Sequence, residues 1–338
     1  EALHAQVNQH LHVMVYGEYA QSAQDRAAKA LLSSLKDTAL DSVYFVNSGT
    51  EAIEGAMKLV RRVTGRTEIF GVHGGYHGAT FGALSLSTPS HRRNAFMPLL
   101  PDVDHLAFGD DEELERITEK TAAVFVETVQ GDAGIRPVPE QHLLALKARC
   151  QAVGAMLVLD EIQCGLGRTG HVHAFQATGV EPDVLVLGKA LGGGMPIGAF
   201  VAASDHMKQL RESPKLGHIT TFGGHPMACA AAAAYLTELA RLDLETVLCQ
   251  GEAWKTALRA HPLVKEVRGR GHFLGVDLDH PHKVAELVKA ARKRGLILFW
   301  FLSRPEGFRL APPLNVSGEE LAGALASLLD AMDEVLAQ

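Results

Sequence analysis

The sequence predicts an α/β protein, with a mostly parallel central sheet flanked by helices and a smaller α+β unit at the C-terminal end. Short apolar runs alternate with helix-length segments through the middle of the chain, the pattern of repeated strand and helix units around a parallel sheet. Those runs are apolar throughout, as strands buried on both faces are. The length of 338 residues exceeds the size at which one core stops growing, so a second, smaller unit is expected.

Residues 1–41 read as a helical lead-in, with Ala-rich helical spacing from Ser22 to Leu35 that stops at Lys36-Asp37. The strand Val43 to Val46 then meets Asn47-Ser48-Gly49-Thr50. A helix comes next, from about Glu51 to Arg62, with Ile53, Met57 and Val60 on one side. Three further strands are Ala122 to Val126, Met156 to Leu159 and Val184 to Leu187. Each gives way to a polar step: Glu127, Asp160-Glu161 and Gly188-Lys189. Ligands of open α/β sheets bind outside the carboxyl ends of the strands, so two carboxylates and a lysine are expected on one rim. An Ala-rich helix runs after Gly224 to about Leu242. Lys265 to Leu278, a helix around Lys283 to Lys293, a strand Leu296 to Leu302 and a last helix from Gly318 form the smaller unit. The expected division is 1–41, 42–245 and 246–338.

Composition narrows the function. Apolar residues at 47% and charged residues at 21% are those of an ordinary globular protein. A net charge of −7, with no run of Lys or Arg, argues against a nucleic-acid partner. Cys150, Cys164, Cys229 and Cys249 have neither CxxC spacing nor the density of a disulfide scaffold, and read as free, mostly buried thiols in a reducing compartment. No apolar stretch reaches the ~18 residues of a membrane span and no signal pattern opens the chain, which predicts a cytoplasmic protein that does not bind membrane.

Several side chains stand where chemistry is possible. Asn47 to Glu51 lies between a strand and a helix, where free amides, a helix dipole and two hydroxyls form either a phosphate cup or a plain N-cap. Asp160 closes an apolar strand and needs a cation, which a protonated ring nitrogen of a ligand or a local ion pair would supply. Lys189 precedes Leu191-Gly192-Gly193-Gly194, room for a flat ligand, and is either a plain surface lysine after a strand or one activated to form a Schiff base with an aldehyde. Tyr76 could stack on a heterocycle, and Arg309 offers a fork for a carboxylate. Gly165 to Gly170 matches G-x-G-x-x-G, but His171 to Phe175 reads as loop or strand rather than helix, so a dinucleotide site is discounted. His73 and His77 lie in a glycine-rich stretch, which speaks against a metal site.

In order along the chain, Asn47-Ser48-Gly49-Thr50-Glu51-Ala52, Tyr76-His77-Gly78, Asp160-Glu161-Ile162-Gln163, Gly188-Lys189-Ala190-Leu191-Gly192-Gly193-Gly194, Thr221-Phe222-Gly223-Gly224 and Arg309-Leu310-Ala311-Pro312-Pro313 resemble the class III aminotransferases. These are pyridoxal-5'-phosphate (PLP) enzymes of fold type I, including the ornithine, acetylornithine and 4-aminobutyrate enzymes. The resemblance implies a PLP cofactor and a homodimer with its active site shared between subunits. It also implies ping-pong transfer of an amino group from an amino acid or ω-amino donor to an oxo-acid through a Schiff base on Lys189. Lys189 would also move the proton at the substrate α-carbon. Asp160 would pair with the pyridine nitrogen and Gln163 with the phenolic oxygen. Gly49 and Thr50 would bind phosphate, with Thr221 reaching the neighbouring subunit's phosphate. Tyr76 would stack on the ring, Glu127 would line the site, and Ser48 and His77 join the cofactor-binding set. Arg309 would take the substrate carboxylate, with Asp132 where ornithine-type enzymes carry a glutamate that masks this arginine.

Two positions depart from the pattern: Ala79 stands where an arginine for the distal carboxylate of 2-oxoglutarate is usual, and His225 where asparagine is common. The family also has a segment ahead of the position of Glu1 that shapes the pocket and the dimer. A PLP-dependent aminomutase or decarboxylase, and a non-catalytic relative, remain the alternatives at this level.

Overall fold

In the computed structural model, residues 1–14, 18–88 and 90–337 are described. The lead-in forms two helices, α1 (Ala2–Gln9) and α2 (Ser22–Ser33); residues 15–17 of the expected helical stretch lie outside the described part. α2 buries Ala23, Ala27 and Leu31, one face at helical spacing.

β1 (Ser42–Val46) runs into α3 (Gly49–Thr64). Ser48 is a true N-cap, its side chain accepting from Glu51 N–H, and Glu51 at the start with Arg61 and Arg62 at the end complement the helix dipole. The chain continues through β2 (Glu68–Val72), α4 (Phe81–Leu86), β3 (Val103–Leu106), β4 (Thr121–Glu127), the small antiparallel pair β5 (Val129–Gln130) and β6 (Arg136–Pro137), α5 (Glu140–Val153), β7 (Met156–Asp160), β8 (Val184–Leu187), β9 (Gly198–Ala202), α6 (Ser204–Met207) and α7 (Pro226–Leu239).

Seven strands form one sheet in the order β1-β9-β8-β7-β4-β2-β3. The five from β8 to β3 are mutually parallel, and β9 is antiparallel to both of its neighbours. This is the mostly parallel sheet the sequence predicts. Alternate residues along each strand serve opposite faces: Val124, Leu157 and Leu185 pack toward α2, α5 and α7, while Phe125, Val158 and Val186 pack toward α3.

A second, four-stranded antiparallel sheet has the order β10-β11-β13-β12, from β10 (Val264–Arg270), β11 (Phe273–Leu278), β12 (Phe299–Trp300) and β13 (Gly307–Leu310). α8 (Leu244–Arg259), α9 (Pro281–Lys293) and α10 (Gly318–Leu336) pack on it around Trp254, Leu287, Phe308 and Met332. The strand expected over residues 296–302 is reduced to two paired residues, Phe299 and Trp300; Leu298 and Phe301 are buried, while Ile297 is 93% and Leu302 66% exposed. α7 likewise stops at Leu239, short of Leu242.

β9 runs directly beneath the turn between β1 and α3, and a Cβ at Gly198 would lie 2.1 Å from the Ser48 carbonyl oxygen. Backbone cannot yield as a side chain does. Gly198→Ala should therefore lower the unfolding free energy by about 1–3 kcal/mol, read as a reduced denaturant midpoint; an unchanged midpoint would contradict this packing.

Candidate active site

The carboxyl ends of β4, β7 and β8 lie side by side, with Glu127 directly opposite Asp160 in the β4–β7 register and Asp160 opposite Val186 across β7–β8. Both carboxylates are buried. Asp160 accepts from Ile162 N–H at 2.9 Å and meets His77 Nδ1 at 2.7 Å. Glu127 accepts from Tyr76 N–H and Gly131 N–H, each at 2.9 Å. Burial works against a charged His77 ring, but its hydrogen bond to Asp160 and the charges of Asp160 and Glu127 outweigh burial and raise its pKa. Burial, reinforced by the Asp160 charge, raises the Glu127 carboxyl even against His77 and its two amide donors.

Lys189 comes directly after β8 with φ +42°, a left-handed backbone that few non-glycine residues adopt, at the head of a short 3-10 turn over Lys189–Gly192. Its side chain is exposed, with no hydrogen-bond or ion-pair partner among the described residues. The preceding Gly188 abuts the head of α3: a Cβ there would meet Gly49 Cα at 3.4 Å and Ile162 Cγ2 at 3.3 Å. The Thr50 hydroxyl lies 2.8 Å from that of Thr80, which donates to Glu54 at 2.5 Å. Ser48, Gly49 and Thr50 thus stand with the first amides of a 16-residue helix beside the lysine turn. Tyr76 is 42% exposed on the same rim. Gln163 packs so closely on Gly131 that a Cβ there would fall 2.2 Å from Gln163 Oε1. Thr221 is exposed.

The opposite wall comes from the second sheet. Arg309 in β13 faces Phe299 in β12, its guanidinium 4.4 Å from the ring centroid. Burial lowers its pKa, and the charge of Asp132 opposes that shift. Asp132 forms no ion pair with Arg309. It is held by Arg92 Nη1 at 2.8 Å and accepts from the Ser303 hydroxyl at 2.5 Å. The Arg92 guanidinium also lies 5.9 Å from the Tyr76 ring centroid. Arg92, in Ser90-His91-Arg92-Arg93, carries no motif that would have singled it out.

Two other positions receive a structural account. His225 is the N-cap of α7, its Nδ1 accepting from Met227 N–H at 3.2 Å. Burial and the neighbouring His12 lower its pKa, which keeps that nitrogen free to accept. Gly165 to Gly170 forms turns and opens no helix, so it is not a dinucleotide fingerprint here. Among the described residues no cluster of three or more His, Cys, Asp or Glu could hold a metal, and no helix is long and apolar enough to cross a membrane.

Residues 1–332 match the family described as aminotransferase class-III. The chain belongs to this family. Among its relatives, the acetylornithine aminotransferase of Methanopyrus kandleri is 38% identical, over 98% of this chain and 84% of its own length. That of Streptomyces coelicolor is 43% identical, over 85% of this chain and 72% of its own. The solved ornithine aminotransferase of Toxoplasma gondii, with PLP at partial occupancy in its active site, superposes with a TM-score of 0.89 at 28% identity, covering 99% of this chain and 82% of that one. The fold is therefore fold type I, and the class III aminotransferase is a PLP enzyme. The donor set suits PLP: an amine without a partner, a buried carboxylate for a ring cation, helix-head amides for a phosphate and an exposed aromatic face for a flat ring.

Glu161, next to Asp160, serves the interior instead. It accepts from Ala174 N–H and Phe175 N–H, each at 2.6 Å, and from the Thr128 hydroxyl at 3.0 Å. Burial pushes its carboxyl from the ordinary value of 4.5 up to about 7, against those donors. Between these two values the folded protein keeps a proton that the unfolded chain has released, so this group's contribution to stability falls as pH rises from 4.5 to about 7. Glu161→Gln should cost about 1–3 kcal/mol by leaving a buried donor unpaired. Denaturation across that window should also show a shallower loss of stability in the variant than in the wild type.

Proposed function

We propose that this class III aminotransferase runs a two-stage cycle in which one site takes an amino group from an amino acid or ω-amino donor and passes it to an oxo-acid. Lys189 is the residue that carries the cofactor and moves the proton at the substrate α-carbon. The observation that carries this reading is the placement of Lys189: unpaired, in a left-handed turn, on the rim where Asp160 and His77 form a buried pair.

When bound, PLP supplies the electron sink for the bond broken at the α-carbon. The protein's part is binding, orientation and charge. Gly49 and Thr50, capped by Ser48, hold the phosphate on the helix head. Asp160 would pair with the ring nitrogen, and His77, donating from Nδ1, holds Asp160 in position. Gln163 would reach the phenolic oxygen and Tyr76 would stack on the ring, while Glu127 fixes the Tyr76 and Gly131 backbones beside that place. Arg309 takes a substrate carboxylate in its fork. The names of the relatives, acetylornithine and putrescine aminotransferases, support amino acid and diamine donors as the first to assay.

We further propose a homodimer in the cytoplasm. The exposure of Thr221 and Phe222 beside Ile219 and Leu216 supports a partner subunit there, with Thr221 reaching the partner's phosphate. Cys150, Cys164 and Cys229 are free and buried, which supports a reducing compartment. The chain divides into 1–41, 42–245 and 246–338, the last boundary falling in the first turn of α8.

Two variants test the core of this reading. Lys189→Ala should abolish turnover and remove the visible band that amino donors bleach in the wild type. Asp160→Asn should keep the band and lower kcat by about 10²–10³-fold. Turnover by Lys189→Ala at the wild-type rate would refute the assignment.

A further inference from the structure

Arg92 has no place in the roles above, yet it decides where Asp132 points. Two guanidiniums, Arg92 and Arg309, face this one carboxylate. Asp132 gives its Oδ2 to Arg92 at 2.8 Å and to the Ser303 hydroxyl at 2.5 Å, and none of its oxygens to Arg309. Arg309 is left stacked on Phe299, half-buried and without an ion-pair partner among the described residues. A half-buried guanidinium attracts the nearest free carboxylate, because desolvation strengthens the pull between them. Asp132 is close enough for its charge to act on Arg309. The two are kept apart by the competing pair with Arg92, whose own position is set by the Tyr76 face and by the 3-10 turn Ser90–Arg92.

We propose that Arg92 is a positioning residue that holds Asp132 away from Arg309, leaving the Arg309 fork open to substrate carboxylates. The inference rests on the reading of Arg309 as the carboxylate fork. Without Arg92, Asp132 turns to Arg309, and every substrate carboxylate must displace it before binding. A substrate lacking a carboxylate has no need of the fork and feels no such competition. With Arg92 in place, amino acids and oxo-acids bind without moving an internal counter-ion, while a plain amine leaves a desolvated cation unpaired. The site therefore favours substrates carboxylated in both half-reactions.

The test uses the PLP-loaded enzyme and propionate as the carboxylate probe, with binding read by calorimetry. Arg92→Ala should weaken propionate binding about fivefold, the scale of a part-exposed ion pair, and Arg92→Lys should recover part of the loss. The double variant Arg92→Ala with Asp132→Ala should bind propionate as well as the wild type, because the competitor is gone. In turnover, Arg92→Ala should raise KM for a carboxylated donor and spare kcat, and should not raise KM for a carboxylate-free amine. Wild-type propionate affinity in Arg92→Ala overturns the proposal. So does a loss that persists in the double variant, which would mark Arg92 as merely structural. Arg309→Ala separates the two layers: undiminished propionate binding there refutes the fork itself.

Discussion

Two carboxylates buried side by side at the ends of neighbouring parallel strands set the terms for the rest of the site. Glu127 and Asp160 are direct cross-strand partners, and like charges so placed in a water-poor interior are costly. The protein meets the cost with an imidazole on one, backbone amides on both, and a raised pKa on the other. Each compensating group is also a fixing point. His77 and Tyr76 N–H pin the glycine-rich loop to the sheet rim, and Gly131 N–H pins the turn after β5. The positions of the Tyr76 ring and of Asp132, one residue beyond Gly131, are set by those anchors.

The arrangement explains what was legible in the sequence. The strands read directly were those with uninterrupted apolar runs and a polar residue immediately after. For β4, β7 and β8 the same residues that build the core announce the rim. β2, β3 and β9 gave no such signal: β2 carries a glycine, β3 at the sheet edge alternates Val-Asp-His-Leu, and β9 is mostly small residues. The run at 296–302 looked like a strand because it is apolar, yet only Phe299 and Trp300 pair in the sheet. Leu298 and Phe301 are buried all the same, so apolar character alone does not mark a strand.

Side-chain pairing was the least legible level. His77 and Asp160 were each notable in the sequence, but nothing in either segment says that one satisfies the other, since 83 residues separate them. Glu161 follows Asp160 directly in the sequence, yet it binds the chain at Ala174 and Phe175. His225 made sense only once its ring was seen capping α7, a task that asparagine performs with a different acceptor. Arg92 and Arg93 are adjacent and alike in sequence, and only the fold separates their roles. Arg93 donates to the Ser85 carbonyl in the interior, while Arg92 turns to Asp132.

Ile162 touches both halves of the proposed cofactor seat. Its side chain lies against Gly49 at the head of α3 and against Gly188 before the lysine, so no atom could be added to either glycine without displacing it. The head of α3 and the lysine turn are thereby joined as one mechanical unit, with their spacing set by a single aliphatic wedge. A catalyst that accepts two unlike substrates in turn must absorb their difference in shape somewhere else. The opposite wall, where Ile297 and Leu302 stand in solvent, is joined to its sheet by a strand of only two residues. The bracing by Ile162 thus lies on the side of the proposed cofactor, the one participant common to both halves of the cycle.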